Sequence, residues 1–153
     1  MARADELIRL LYMSAATSDG NPDRCHITNL EHNLRVATLA KRHVPDEDEI
    51  IFMALVHDFA RPLNDVFHGE VIAEMVRDMV SPRVYHVLRT HGAYQSWKIH
   101  GEPVDIDFAA PHHALAMKLC GWEFGSFSKD WNLTTMSIDE AEEVIHKICK
   151  GRD

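Results

Sequence analysis

His57 and Asp58 stand side by side near the end of an apolar run, Ala54-Leu55-Val56-His57-Asp58-Phe59-Ala60-Arg61-Pro62-Leu63, that breaks at a proline. A helix carrying that run buries an imidazole next to a carboxylate, and burying a polar ring or a charge without partners is costly. A bound cation would compensate both residues at once. His32, His68 and His91, spaced a helix apart along the chain, offer to complete such a site. Neutral imidazole and carboxylate together suit Fe, Mn or Zn. Asp58 has two oxygens, so it could bridge two ions, one held by His32 and His57 and the other by His68 and His91.

Those residues need helix ends that meet in space. Thr28 followed by Glu31 is a capping box and predicts a helix to about Arg42, with Leu30, Leu34, Ala37, Leu39 and Ala40 inward and His32 in its first turn. Pro45-Asp46-Glu47-Asp48 places acids at the positive end of a second helix, which runs through Ile50, Ile51, Met53, Ala54 and Leu55 into His57-Asp58. Pro62 and Asn64-Asp65 mark a loop, after which His68 opens a helix carrying Val71, Ile72, Met75, Val76 and Met79. Ser81-Pro82 reads as an N-cap with proline at the first helical position. The helix it starts contains Val84, Val87 and Leu88 and is expected to end at His91-Gly92, with the glycine as C-cap. Each candidate ligand thus falls at a helix end, and bundles assemble metal sites from facing helices.

The flanks complete the map. Residues 4–16 predict a short amphipathic helix, and Thr17 to Asp23 is a dense turn cluster. Tyr94 to Pro111, with Gly101 and Pro103, reads mainly as loop; Ala114 to Trp122 reads as helix; Glu123 to Asn132 reads as irregular. Ser137 and Glu140 cap a last helix, 137–150, that buries Ala141, Val144, Ile145 and Ile148. No alternating strand pattern of useful length is present. The expectation is an all-α single domain over residues 1–153, core 28–131, of about six to seven helices.

The formal charge of -8 argues against a nucleic-acid backbone or an anionic membrane as main partner, since either needs a basic face. A small anionic molecule, held by metal ions or a local cationic pocket, is compatible with it. No apolar stretch reaches the roughly 18 residues of a membrane span, and no signal-peptide pattern opens the chain. Cys25, Cys120 and Cys149 lack CxxC spacing and suit a reducing cytoplasm. Of the remaining histidines, His43, His86, His100 and His146 read as surface or satisfied groups and His26 as a loop residue. His112-His113 reads as a pocket wall or a solvated turn.

Leu55-Val56-His57-Asp58, with a helix-borne histidine before it and two after, resembles the HD-domain metalloproteins, and the ordered set resembles their dinuclear branch. Asn29-Leu30-Glu31-His32-Asn33-Leu34, Phe67-His68-Gly69-Glu70-Val71 and Leu88-Arg89-Thr90-His91-Gly92 are most similar to the phosphonate-cleaving, PhnZ-type di-iron oxygenases and their uncharacterised relatives, over roughly Thr28 to Trp131. The resemblance implies an HD-type helical bundle in which His32, His57 and a bridging Asp58 hold one ion and His68 and His91 the other. The family's last ligand is an aspartate after Trp or Tyr; Trp122-Glu123 matches that context, which makes Glu123 the ligand and Asp130 the competing candidate. Where the family shields its vacant iron position with tyrosine and glutamate, this chain has Pro22 and Cys25. Where the family continues the His-Asp pair with glycine and then lysine or histidine, it has Ala60-Arg61.

An arginine does not act as an acid or base near neutrality, but it clamps phosphonate, phosphate or carboxylate bidentately. Arg61 is therefore the candidate catalytic anchor beside Asp58, with Arg89 and Lys98 as further substrate-binding candidates; the bland alternative for Arg61 is a surface salt bridge. The resemblance implies two transition-metal ions, iron first and Mn or Zn after it, and O2-dependent oxidative cleavage of a small anionic hydroxylated substrate such as a hydroxyphosphonate. The same ligands would serve a metal-dependent phosphohydrolase acting on a phosphate ester or nucleotide. A degenerate HD protein that binds a ligand without turnover is the third reading.

Overall fold

The computed structural model describes residues 3–17, 27–101 and 106–150. They form seven α-helices: α1 Arg3–Met13, α2 Asn29–His43, α3 Asp48–Val56, α4 His68–Val76, α5 Pro82–His100, α6 His113–Ser126 and α7 Ile138–Cys149. A single 3-10 turn, Ser14–Ala16, follows α1, and there is no strand among the described residues. The expected all-helical, single-domain bundle is what the chain forms. No described helix is long and apolar enough to cross a membrane.

The helix that organises the packing is α3. Ile50, Ile51 and Phe52-Met53-Ala54-Leu55-Val56 are all buried, on every side of the helix. A helix that is apolar all round has nowhere to sit but the interior. It is covered by α2, α5 and α7; α2 and α5 in turn pack on α6, and α4 lies along α5. The capping signals act as read: Thr28 Oγ1 accepts from the Glu31 N–H (3.1 Å), Ser137 Oγ from Glu140 N–H (3.1 Å) and Ser81 Oγ from Val84 N–H (3.3 Å).

Three boundaries differ from expectation, the smallest being that α4 closes at Val76 and leaves Met79 buried in the turn after it. The helix of His91 does not end at Gly92; α5 continues to His100. Gly92 faces outward with nothing within 4 Å of where a Cβ would sit, so its lack of a side chain costs the helix about 1 kcal/mol relative to alanine and no packing. Beyond it, Tyr94 is buried and anchored, its hydroxyl 2.8 Å from His113 Nδ1, which carries the helix onward. The glycine that does cap is Gly101, at φ 78, whose N–H bonds the Trp97 carbonyl at 2.7 Å. Likewise α6 runs on through Glu123 to Ser126 rather than becoming irregular after Trp122, with Gly125 packed against Leu39. The turn cluster at 18–23, with Pro22, together with Cys25, His26 and Pro103, lies outside the described residues.

Candidate metal centre

Five elements deliver the site. His32 comes from the first turn of α2, and His57 caps the C-terminus of α3 with Asp58 directly after it. His68 is the first residue of α4, His91 lies inside α5, and Glu123 lies near the end of α6. Asp58 is the hub. Its Oδ2 is 3.2 Å from Nε2 of both His32 and His57; its Oδ1 is 3.0 Å from His68 Nε2 and 3.2 Å from His91 Nε2. Glu123 Oε1 joins the first group at 3.1 Å from His57 Nε2. The donors therefore form two groups that share one carboxylate: His32, His57, Asp58 and Glu123, and Asp58, His68 and His91. All are buried; His68, at 8 % exposure, is the most open, and the others are at 2 % or less.

The outer ring nitrogens settle what the inner ones present. Nδ1 of His57 lies 2.7 Å from the Ala54 carbonyl, that of His91 2.7 Å from the Leu88 carbonyl, and that of His68 2.8 Å from the Asp65 carbonyl. A carbonyl only accepts, so each of these Nδ1 atoms carries the proton. His32 Nδ1 lies 2.7 Å from Ser126 Oγ, whose own proton is committed to the Glu123 carbonyl at 2.6 Å, so this nitrogen donates too. In neutral rings all four Nε2 atoms then turn lone pairs inward. His32 and His57 face each other across 3.2 Å, and His68 and His91 across 2.9 Å. Facing lone pairs at such distances repel unless positive charge lies between them. Glu123 Oε2, buried with no hydrogen-bond partner, makes the same demand.

Without an ion, a proton answers it. Burial opposes charge on His57, but the Asp58 and Glu123 carboxylates outweigh it and lift its pKa to about 10. For His32 burial prevails over the attraction of Asp58 and pushes the pKa down. Burial would raise the Asp58 carboxyl, yet His57, Arg61 and His32 hold it well below the usual carboxylate range. The buried His/Asp/Glu cluster is compatible with a divalent metal site.

Among the other candidates, Arg61 is brought to the site: its Nε lies 3.5 Å from Asp58 Oδ2, and its Nη1 donates to Asp65 Oδ1 at 2.9 Å. Arg89 lines a cavity of about 260 Å³ together with His68 and Gly69, its Nη1 3.4 Å from the Tyr85 hydroxyl. Lys98 sits two turns along α5 from His91, exposed, over the Trp97 ring. Asp130 is exposed in the segment after α6, outside both donor groups, whereas Glu123 is inside one. His43, His86, His100 and His146 are exposed, and half-buried His112 stacks on His86 while His113 meets the Tyr94 hydroxyl.

Three supporting residues escaped the sequence reading. Ser126 holds His32, Gln95 Nε2 donates to Glu123 Oε1 at 3.4 Å, and Gly69 lets α4 approach α5 closely enough for His68 to meet His91. Only Gly69 left a signal, an isolated glycine within a helical pattern.

An all-helical bundle with a buried hub of histidines around one aspartate defines a recognisable class of metal-binding domain. The HD domain family model matches residues 29–148, and the chain belongs to that family. Its members are mostly metal-dependent enzymes, hydrolases and oxygenases among them. No curated protein matches the chain.

Proposed function

We propose that this protein is a dinuclear HD-domain metalloenzyme that oxidatively cleaves a small anionic, hydroxylated substrate such as a hydroxyphosphonate, using dioxygen. The observation that supports the dinuclear part of the reading is the pair of facing Nε2 couples, His32–His57 and His68–His91, on different oxygens of Asp58, while the oxidative chemistry rests on the resemblance around His32 and His68. Two nitrogens each about 2.1 Å from one ion and at right angles stand about 3.0 Å apart, the spacing these couples have. The proposed ligands of one ion are His32, His57, Asp58 and Glu123, and of the other Asp58, His68 and His91.

Four imidazoles against two carboxylates suit iron better than Mg2+ or Ca2+. Iron held there supplies both Lewis acidity and, with dioxygen, oxidising power. The protein's own part is to fix the ring tautomers, to exclude bulk water by burial, and to leave approach on the side of His68. Two divalent ions outweigh the Asp58 and Glu123 charges, and Arg61 adds to the excess, so the site favours an anion. Arg61, tethered by Asp65, is proposed to receive the anionic end of the substrate, with Arg89 lining the approach.

Oxygen dependence is the deciding assay. Iron-loaded protein should turn over a 1-hydroxyalkylphosphonate only in the presence of oxygen, read as released phosphate. Equal phosphate release from phosphate esters under strict anaerobiosis would move the assignment to a phosphohydrolase. Arg61→Lys keeps the charge and loses the planar fork; it should raise KM by about 10- to 100-fold with a much smaller effect on kcat. Steady-state kinetics with unchanged KM would remove Arg61 from substrate binding.

A further inference from the structure

Three of the four outer ring nitrogens in the cluster bond a backbone carbonyl three residues earlier in the chain, an acceptor that backbone geometry holds in place. His32 is the exception. Its acceptor is a side chain, Ser126 Oγ, on another helix and 94 residues away. Ser126 is fully buried and passes its own proton to the carbonyl of Glu123, one turn back on α6. His32 and Glu123, from the same donor group, are thereby joined through a single hydroxyl.

The surrounding contacts hold that turn against α2. The Phe127 ring stacks on the His32 imidazole, centroids 4.6 Å apart and 12° from parallel. Arg35, one turn beyond His32, donates from Nη1 to the Ser126 carbonyl at 2.9 Å, and its guanidinium lies over the Trp131 ring. Its Nη2 donates to Glu31 at 2.9 Å.

We infer that Ser126 is the positioning residue of the His32–His57–Glu123 subsite, keeping the His32 proton on Nδ1 so that Nε2 is free to bind an ion. The inference rests on the dinuclear reading above and concerns one ion of the pair. Without an acceptor at Nδ1, the ring proton is better placed on Nε2, where Asp58 Oδ2 lies 3.2 Å away to receive it. An ion must then displace that proton, and a buried N–H is stranded on the far side of the ring whenever it does. Loss of an outer hydrogen bond of this kind typically weakens metal binding about 10- to 100-fold.

The test is a titration of the metal-free full-length protein with Co2+, followed by calorimetry and by the visible absorption of the bound ion. The unaltered protein should take up two Co2+. Ser126→Ala should bind one Co2+ as before and the other about 10- to 100-fold more weakly. A merely structural defect would instead lower both affinities together, and that result, like two unchanged sites, overturns the assignment. Ser126→Cys keeps the volume and offers only a weak acceptor; it should show the same one-sided loss at smaller size, and decides the matter if the alanine variant does not fold. An unaltered protein that binds no Co2+ sinks the dinuclear reading itself, a result separate from any behaviour of the variants.

Discussion

Asp58→Ala should leave the purified protein with neither ion. Its two oxygens face different pairs of imidazoles, so one substitution removes a donor from both proposed subsites and, among the described residues, the one side chain shared between them. What stays behind is worse than a gap. Four histidines would still point lone pairs into a buried space, with the neutralising carboxylate gone and Glu123 alone to offset two cations. Stability should fall as well, because removing one partner from a buried, charged cluster costs about 3–5 kcal/mol. Elemental analysis alongside thermal melting separates the effects. Asp58→Asn, which keeps the volume, should also lose the pair of ions while melting closer to the unaltered protein. Full metal content in Asp58→Ala would rule out a shared bridging carboxylate.

Much of the proposed centre was legible because its chemistry is concentrated in a few residue types. An adjacent His57-Asp58 closing an apolar helix is expensive in isolation, and capping signals at Thr28 and Ser81 located the helices that carry His32 and His91. Glu123 became visible only through the Trp122-Glu123 context, since nothing in periodicity separates it from Asp130. The larger errors came from glycine. Gly92 reads as a C-cap and the stretch from Glu123, which contains Gly125, as irregular, but Gly92 faces outward at small cost and Gly125 packs on Leu39, so both helices continue. That misreading hid Ser126: only if α6 continues past Glu123 does the hydroxyl reach His32, and a contact across 94 residues has no local signature. The same extension of α5 placed His91 inside a helix, so the shared position at helix ends holds for His32, His57 and His68 but not for every member of the set.

Gly69→Ala should break the other half of the centre. A Cβ at Gly69 would lie 2.8 Å from the Leu88 carbonyl oxygen, 3.2 Å from that of Arg89 and 3.3 Å from His91 Cε1. Two of those neighbours are backbone atoms inside α5 and cannot swing aside, so α4 as a whole must move outward. The Leu88 carbonyl is also the acceptor that orients the His91 ring, and His68 is the residue next to the new methyl. Restoring ordinary contact needs a displacement of several tenths of an ångström, against a tolerance of about 0.2 Å in a metal–ligand distance. The overpacking should cost about 1–3 kcal/mol in stability. Metal analysis should show loss of the proposed Asp58–His68–His91 ion with the other retained, the mirror image of Ser126→Ala. Gly92→Ala provides the control, since its Cβ meets nothing within 4 Å and helix propensity alone should stabilise it by up to about 1 kcal/mol. If Gly69→Ala melts with the unaltered protein and binds the same two ions, the close approach of α4 to α5 is not what brings His68 and His91 together.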